Sequence, residues 1–263
     1  MDILVLLKQV PDTETMIEIA EDQTRIETKN VKWIINPYDE FAVEEALRIK
    51  EKQGSGKITV CSAGTERTVA AIRSALAMGA DEGLLIDDPA CEESDALSIA
   101  RILAAAIRTI HFDLIIAGQR SISDENYQVP SAVAEFLGIP QITMVVKQEI
   151  SGGKILCEQT VTGGTAVVEA DLPVLFTTQK GLNEPRYASM PNIMKAKKKP
   201  LAKKTLADIG ISPNEVGKAG AKAKILRLSF PIPRKAGIMI EGETPEQKAA
   251  QLVKLLREKA KVV

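Results

Sequence analysis

The chain has 263 residues, 45% hydrophobic and 26% charged, with 34 Lys and Arg against 35 Asp and Glu for a formal net charge of −1. This is the length of one to two domains at an ordinary globular composition, which excludes wholesale disorder, and the balanced charge gives no global attraction to nucleic acid or an anionic membrane. No run approaches about 18 uninterrupted apolar residues, so no membrane span is expected, and Met1-Asp2-Ile3-Leu4 enters a strand pattern without the basic flank of a signal peptide, which places the protein in the cytoplasm.

Ile3 to Leu7 is a short apolar run closed by Lys8-Gln9-Val10-Pro11, the pattern of a buried parallel strand. Trp33-Ile34-Ile35 is the next run. Asn36-Pro37 then opens a helix, with Asn36 at the N-cap and Pro37 at the first helical position, where a missing N–H costs nothing. That helix carries Val43, Ala46 and Leu47 on one face and ends near Gly54. Ile58 to Cys61 is a strand, and Ser62-Ala63-Gly64-Thr65 turns into a helix bearing Val69, Ile72 and Leu76, with Gly79 as its C-cap.

Gly83 to Asp87 is a strand, followed by a helix from about Ser94 with Ile99, Leu103, Ala106 and Ile110. Asp113 to Gly118 is the next strand, then comes a helix near Gln128 to Leu137, then Gln141 to Val146. Strict alternation of strand and helix means a parallel sheet covered on both faces. From Lys147 the pattern changes. Gly152-Gly153 and Gly163-Gly164 punctuate β-rich runs that read as hairpins added to the sheet, and Val174 to Thr178 is a final strand. Residues 180–204 break every periodicity and read as a long loop, of the kind that is functional or disordered. Residues 217–224 read as a linker. Thr244-Pro245-Glu246-Gln247 is a capping box opening a terminal helix whose face of Ala249, Leu252, Val253 and Leu256 needs a surface to bury against.

Several chemistries are excluded by what is missing. Cys61, Cys91 and Cys157 are widely spaced, without Cys-x-x-Cys, so they read as small apolar residues and not as a disulfide framework or zinc site. The single histidine, His111, lies where a helix hands over to a strand and has no accompanying nucleophile motif. There is no Walker loop and no Gly-x-Gly-x-x-Gly. Gly54-Ser55-Gly56-Lys57 is a helix-to-strand turn.

In an open parallel sheet the ligand crevice lies at the carboxyl ends of the strands, here the loops after Leu7, Ile35, Cys61 and Ala117. Ser62-Ala63-Gly64 is small enough for a flat ring to approach the backbone. Gly118 to Gln128 is polar and leads into a helix N-terminus, where backbone N–H groups and the helix dipole hold phosphate. Composition alone reads that segment equally as a solvated loop. Its place after a central strand favours an adenine nucleotide. The six lysines of 195–204 read as a solvated basic stretch, and without interleaved aromatic residues they carry no nucleic-acid reading. Tyr187 and Met190 before them are candidates for a hydrophobic anchor on a partner protein.

Asn183-Glu184-Pro185-Arg186-Tyr187-Ala188-Ser189-Met190-Pro191-Asn192-Ile193-Met194-Lys195-Ala196-Lys197-Lys198 closely resembles the signature of the electron transfer flavoprotein β subunit. The match extends to Leu7 through Val10, Asn36-Pro37 with Glu44-Glu45-Ala46, Ala75 through Asp81, and Gly118 through Gln128, and so covers nearly the whole chain. The resemblance implies a heterodimer with a larger α subunit that carries the electron-transferring FAD in a mobile domain. It implies that this chain binds AMP, or a second FAD in the electron-bifurcating branch, and docks an acyl-CoA dehydrogenase-type flavoprotein. By position, Leu6, Asn36, Pro37, Tyr38, Asp39, Ala63, Gly118, Gln119, Arg120, Ser121, Ile122, Ser123, Asp124, Glu125, Asn126, Tyr127, Gln128 and Val129 fall on the nucleotide-binding segments of the family. Asn183, Glu184, Pro185, Arg186, Tyr187, Met190, Pro191, Ile193, Met194, Lys195 and Lys198 fall on its recognition loop, with Met190 in the place of a leucine anchor. Arg186 and the lysines are expected to steer acidic partners.

The departures from the family pattern pull in two directions. Bifurcating relatives usually read Asp-Gly-Asp-Thr-Ala-Gln-Val where this chain has Ser123 to Val129, and Asn126 and Tyr127 narrow the room for a second flavin. The tail Arg234 to Gly242 looks more like the anaerobic, bifurcating relatives. Val161-Thr162-Gly163-Gly164 replaces an acidic turn, and Thr160 stands where some members carry a glutamate that steers the flavin domain.

The combined expectation is an α/β fold: a doubly wound, mainly parallel sheet, Rossmann-like and of adenine-nucleotide-binding type, with added β-hairpins and a C-terminal helical tail. Residues 1–179 form the nucleotide-binding domain, 180–204 the recognition segment, and 205–263 a linker and tail that packs on the α subunit. The expected role is an electron-carrier subunit and not a self-sufficient enzyme, oxidising NADH only in the bifurcating alternative. The rival of a different class is a stand-alone nucleotide-binding regulator.

Overall fold

The computed structural model describes residues 1–234 and 236–262. Lys235, within the tail string quoted above, lies outside them. The chain divides into two compact units, Met1–Leu226 and Arg227–Val263.

The first unit begins with strands β1 (Ile3–Leu6), β2 (Gln9–Pro11) and β3 (Trp33–Ile35), then helix α1 (Pro37–Gln53) and strand β4 (Ile58–Ala63). Helix α2 (Val69–Met78), strand β5 (Glu82–Ile86), helix α3 (Ala96–Ile107), strand β6 (Leu114–Gly118) and helix α4 (Val129–Leu137) continue the alternation. Strands β7 (Gln141–Ser151), β8 (Lys154–Val161), β9 (Gly164–Asp171) and β10 (Val174–Thr178) precede helix α5 (Met190–Ala196), strand β11 (Leu201–Lys204) and the short helix α6 (Gly217–Gly220).

Among the described residues, nine strands form one sheet in the order β11-β5-β4-β1-β6-β10-β7-β8-β9. Neighbours from β11 to β7 are parallel, and β7, β8 and β9 pair antiparallel as the expected hairpins. Alternation along the buried strands splits the core in two. Ile3, Val5, Ile116 and Phe176 pack with Val43, Ala46, Leu47, Ile72 and Leu76 of α1 and α2. Leu4, Leu6, Ile115 and Leu175 pack on the other face with Ile102, Leu103, Ala106 and Ile107 of α3 and with Val133 and Ala134 of α4. Local signals bound the helices. Gly54 takes the left-handed conformation after α1, and Asp95 accepts the Ser98 N–H at the start of α3.

Four expectations are corrected. Trp33–Ile35 is not part of the main sheet but pairs antiparallel with β2 in a separate ribbon. Asn36 sits at the N-cap of α1 without capping it, because its amide is committed to other partners. Residues 180–204 are not one loop: Ser189 caps α5, whose Ala196 is buried, and β11 joins the edge of the sheet beside β5. A seven-residue helix and a four-residue edge strand are too short to set up a periodicity. Residues 217–224 are not a free linker either, since the Gly217 N–H donates to Ser94 Oγ and the N–H groups of Lys222 and Ala223 donate to Asp95.

In the second unit, helix α7 (Pro245–Leu255) starts at Thr244, whose hydroxyl accepts the Gln247 N–H. The Gln247 side chain reaches back to the Glu243 N–H, one residue before the cap. The helix buries none of its residues. No helix among the described residues is long and apolar enough to cross a membrane.

Candidate functional site

The sheet reverses its winding between β1 and β6, and the loops at their carboxyl ends are tied together there. The Asp39 carboxylate, 5% exposed, accepts N–H bonds from Lys8 (2.7 Å) and Gly118 (3.1 Å) and an amide bond from Asn36 (2.9 Å). Asn36 also donates to the Arg120 carbonyl (2.9 Å), and its Oδ1 accepts the Ile122 N–H (3.1 Å). Three segments far apart in sequence therefore meet on two side chains. Burial pushes the Asp39 carboxyl up to about 7 against the opposing pull of its three donors.

Above this floor lies the polar loop 119–128. The Lys8 ammonium pairs with Asp124 and lies 3.5 Å from Ser121 Oγ, which is 3.2 Å from Ser123 Oγ. Arg120 donates to the hydroxyls of Tyr38 (2.9 Å) and Tyr127 (2.5 Å), with its guanidinium 5.1 Å and 5.3 Å from their ring centres. The Tyr38 bond, above all, holds the Arg120 pKa above its ordinary value. Glu125 (φ 48°) and Tyr127 (φ 58°) take the left-handed backbone, so the loop is held in a form most side chains avoid. The Asn126 side chain accepts the Gln128 N–H, and Gln128 and Val129 lead into α4.

Of the other expected positions, Leu6 is buried in the core face shared with α3, Pro37 is the first residue of α1, and Ala63 ends β4 half-buried. Ser62 is turned inward, donating to the Leu7 carbonyl (2.7 Å). Two polar atoms at the crevice, Gln119 Oε1 and Arg120 Nε, are buried without a partner among the described residues. A buried acceptor and donor left open is the arrangement expected where a polar ligand completes the bonding. An adenine nucleotide fits this donor and acceptor set. Lys8 was not singled out from sequence, although it directly follows β1 and supplies the ammonium nearest the serines.

The second cluster of expected residues divides into anchors and an exposed face. Asn183, nearly buried, donates to the Phe41 carbonyl (3.0 Å) and to Glu45 (2.8 Å), which also accepts from Gln148 of β7 (2.8 Å). Arg186 is not free to steer a partner. Its guanidinium is bound to Glu44 (2.8 Å) and Glu51 (2.6 Å) of α1, because the tertiary fold brings that helix beneath it. Burial works against ionising Glu44, which is 3% exposed, but Arg186 and Arg48 outweigh it and hold its carboxyl below the ordinary range. The Arg186 pKa is raised in turn, by Glu51 first and then Glu44.

Glu184, Pro185 and Pro191 belong to the same stretch, and Tyr187, Met190 (72% exposed), Ile193 and Met194 are exposed with Lys195 and Lys198 beside them. Lys199 is not simply solvated. Its ammonium donates to the carbonyls of Leu76 (2.9 Å) and Ala80 (2.5 Å) at the end of α2.

The three cysteine thiols are held protonated by their surroundings. Burial pushes the Cys61 and Cys157 thiols to about 12 and Cys91 to about 11, so none is a thiolate at neutral pH. His111 is exposed, with its ring nitrogen 3.7 Å from Asp113. Among the described residues, no group of three or more His, Cys, Asp and Glu could hold a metal ion.

Comparison with known proteins gives a consistent result. A family model described as the electron transfer flavoprotein domain matches residues 23–209. The chain is 42% identical over 264 residues to the electron transfer flavoprotein subunit beta of Bacillus subtilis (strain 168), covering 100% of each chain. It is 42% identical over 260 residues to the subunit of that name from Syntrophomonas wolfei, covering 99% of this chain and 97% of that one. It is 38% identical to the corresponding Bradyrhizobium diazoefficiens protein, covering 100% of each.

Proposed function

This chain belongs to the electron transfer flavoprotein β-subunit family, and on that premise we propose that it binds an adenine nucleotide in the crevice above β1 and β6 and docks a dehydrogenase through the exposed face of residues 187–198. Its partner is an α subunit, and electrons pass through the FAD that the α subunit carries. The β chain contributes no redox group of its own. It holds the nucleotide, seats the α subunit through its tail, and presents the docking face.

The observation that carries the nucleotide reading is the pair of open polar atoms, Gln119 Oε1 and Arg120 Nε, in the same loop as Ser121 and Ser123. Lys8 and the two serines can hold a phosphate, and the open amide oxygen can accept from an exocyclic amine. Tyr127, fixed by its bond to Arg120, supports AMP over a second FAD at this site. The bifurcating alternative, with FAD and NADH at the β site, is favoured by the tail string Arg234 to Gly242 alone.

For docking, Tyr187, Met190 and Met194 are exposed apolar side chains in a stretch that also carries exposed lysines, a combination suited to an apolar pocket with an acidic rim. The partner is an acyl-CoA dehydrogenase-type flavoprotein in this reading, and the location is cytoplasmic. The deciding experiment is denaturing extraction and chromatography of nucleotides from the complex co-purified with its α subunit. One FAD and one AMP per αβ pair is the expected result. Two FAD and no AMP would make it a bifurcating protein, and no adenine nucleotide beyond the α-subunit FAD would overturn the crevice assignment.

A further inference from the structure

Where a parallel sheet reverses its winding, the carboxyl ends of the two diverging strands open the crevice in which a ligand sits. Here two donors at those ends, the N–H of Lys8 after β1 and the N–H of Gly118 at the end of β6, both point at the Asp39 carboxylate, at 2.7 Å and 3.1 Å. The third donor on that carboxylate, Asn36, continues to the Arg120 carbonyl and accepts from the Ile122 N–H, so the same anion sets the base of the polar loop. All three groups facing Asp39 donate, which is the complement of a carboxylate. The Lys8 ammonium turns elsewhere, to Asp124 and Ser121. Gly118 is needed by this arrangement, since a Cβ there would lie 2.3 Å from Asp39 Oδ1.

We propose that Asp39 is the resident anion of this switch point: its carboxylate occupies the N–H pair of Lys8 and Gly118 at the diverging strand ends, and a nucleotide held in the crevice places its phosphate outside that pair, on the 121–124 loop beside Lys8 Nζ. Asp39 is then a positioning residue and not a contact of the nucleotide. This rests on the nucleotide reading above for the ligand, but the occupancy of the N–H pair can be tested without any nucleotide.

The test compares the wild-type αβ complex with Asp39→Ala and Asp39→Asn at about pH 8, by thermal melting and by calorimetric titration with AMP after nucleotide removal. Asp39→Ala opens a space of the size of a formate ion against the same donors. Sodium formate is expected to raise its melting temperature by about 3 °C and to recover an AMP affinity weakened by about tenfold. Sodium chloride should do neither, and the wild type should not respond. Asp39→Asn keeps the shape but turns an N–H₂ toward a donor, so it should bind AMP weakly and ignore formate. The proposal is overturned if formate leaves Asp39→Ala unchanged, if it shifts the wild type equally, or if either variant binds AMP as the wild type does. Should Asp39→Ala not fold, wild-type AMP affinity in Asp39→Asn would by itself overturn it. Failure of the wild type to bind AMP would count against the nucleotide reading, and the formate response would still decide the anion.

Discussion

Arg73 and Lys199 cap each other's helices. The Arg73 guanidinium, on α2, donates to the carbonyls of Ala196 (2.7 Å) and Lys199 (2.6 Å) at the end of α5. The Lys199 ammonium donates in return to Leu76 and Ala80 at the end of α2. Carbonyls at a helix C-terminus lack partners within the helix, and a cation there also opposes the macrodipole. Burial lowers the Lys199 pKa, yet each cation remains matched by the carbonyls it meets. The segment that follows α5 is thereby tied to α2.

Arg73→Ala should strip two carbonyls of their partner and cost about 1–3 kcal/mol. Hydrogen exchange should speed up selectively across residues 190–199, with AMP affinity unchanged. Unaltered exchange in that stretch would count against the clamp.

Arg186→Ala should leave Glu44 buried with Arg48 as its remaining cation and destabilise the protein by about 2 kcal/mol, reduced by the partial exposure of the arginine. The Glu44 carboxyl is held below its ordinary 4.5, so its contribution is present above that pH and is lost as the pH falls through the folded value. Urea midpoints should therefore fall on acidification in the wild type, and less so in Arg186→Ala. An equal loss in both would sink the assignment.

Asp39 has the opposite sign. With a folded pKa of about 7 against 3.8, the folded state holds the proton over a range where the unfolded chain has released it. Its contribution makes stability decline as the pH rises from about 4 to about 7 and level off above, by at most about 4 kcal/mol. The groups facing the carboxyl are the N–H of Lys8, the N–H of Gly118 and the Asn36 amide, with the Lys8 charge as the nearby cation. The difference in urea midpoint between wild type and Asp39→Asn should change across this window and stay constant above it.

Met190→Ala should weaken electron transfer from the dehydrogenase by about tenfold or more, through KM and not through nucleotide content, as truncating a central anchor does. Its side chain is exposed, so melting should hardly move. Equal KM values for wild type and variant would remove Met190 from the docking face.

Tyr127→Gly should release Arg120 from one of its two hydroxyl partners and relieve the positive φ at that position. In the proposed reading this enlarges the crevice, and the ratio of FAD to AMP bound at the β site should rise. An unchanged ratio would show that Tyr127 does not select the nucleotide.

The sequence alone determined the parallel alternation, the two core faces, the hairpins after Lys147 and the family, because burial on both faces demands apolar runs and the 183–198 string is distinctive. It also placed a polar loop after a central strand. The partners of individual polar groups were decided only by the tertiary structure. Whether Asn36 caps its own helix or grips a loop 84 residues away depends on which strand ends become neighbours. Arg186 reads as a free cation until α1 is laid beneath it, and the lysine run reads as solvated until Lys199 meets the end of α2. Periodicity records which face of an element is buried, since burial recurs along the chain. A hydrogen bond between distant segments leaves no such repeat, and it comes into existence only when the sheet order brings its two ends together.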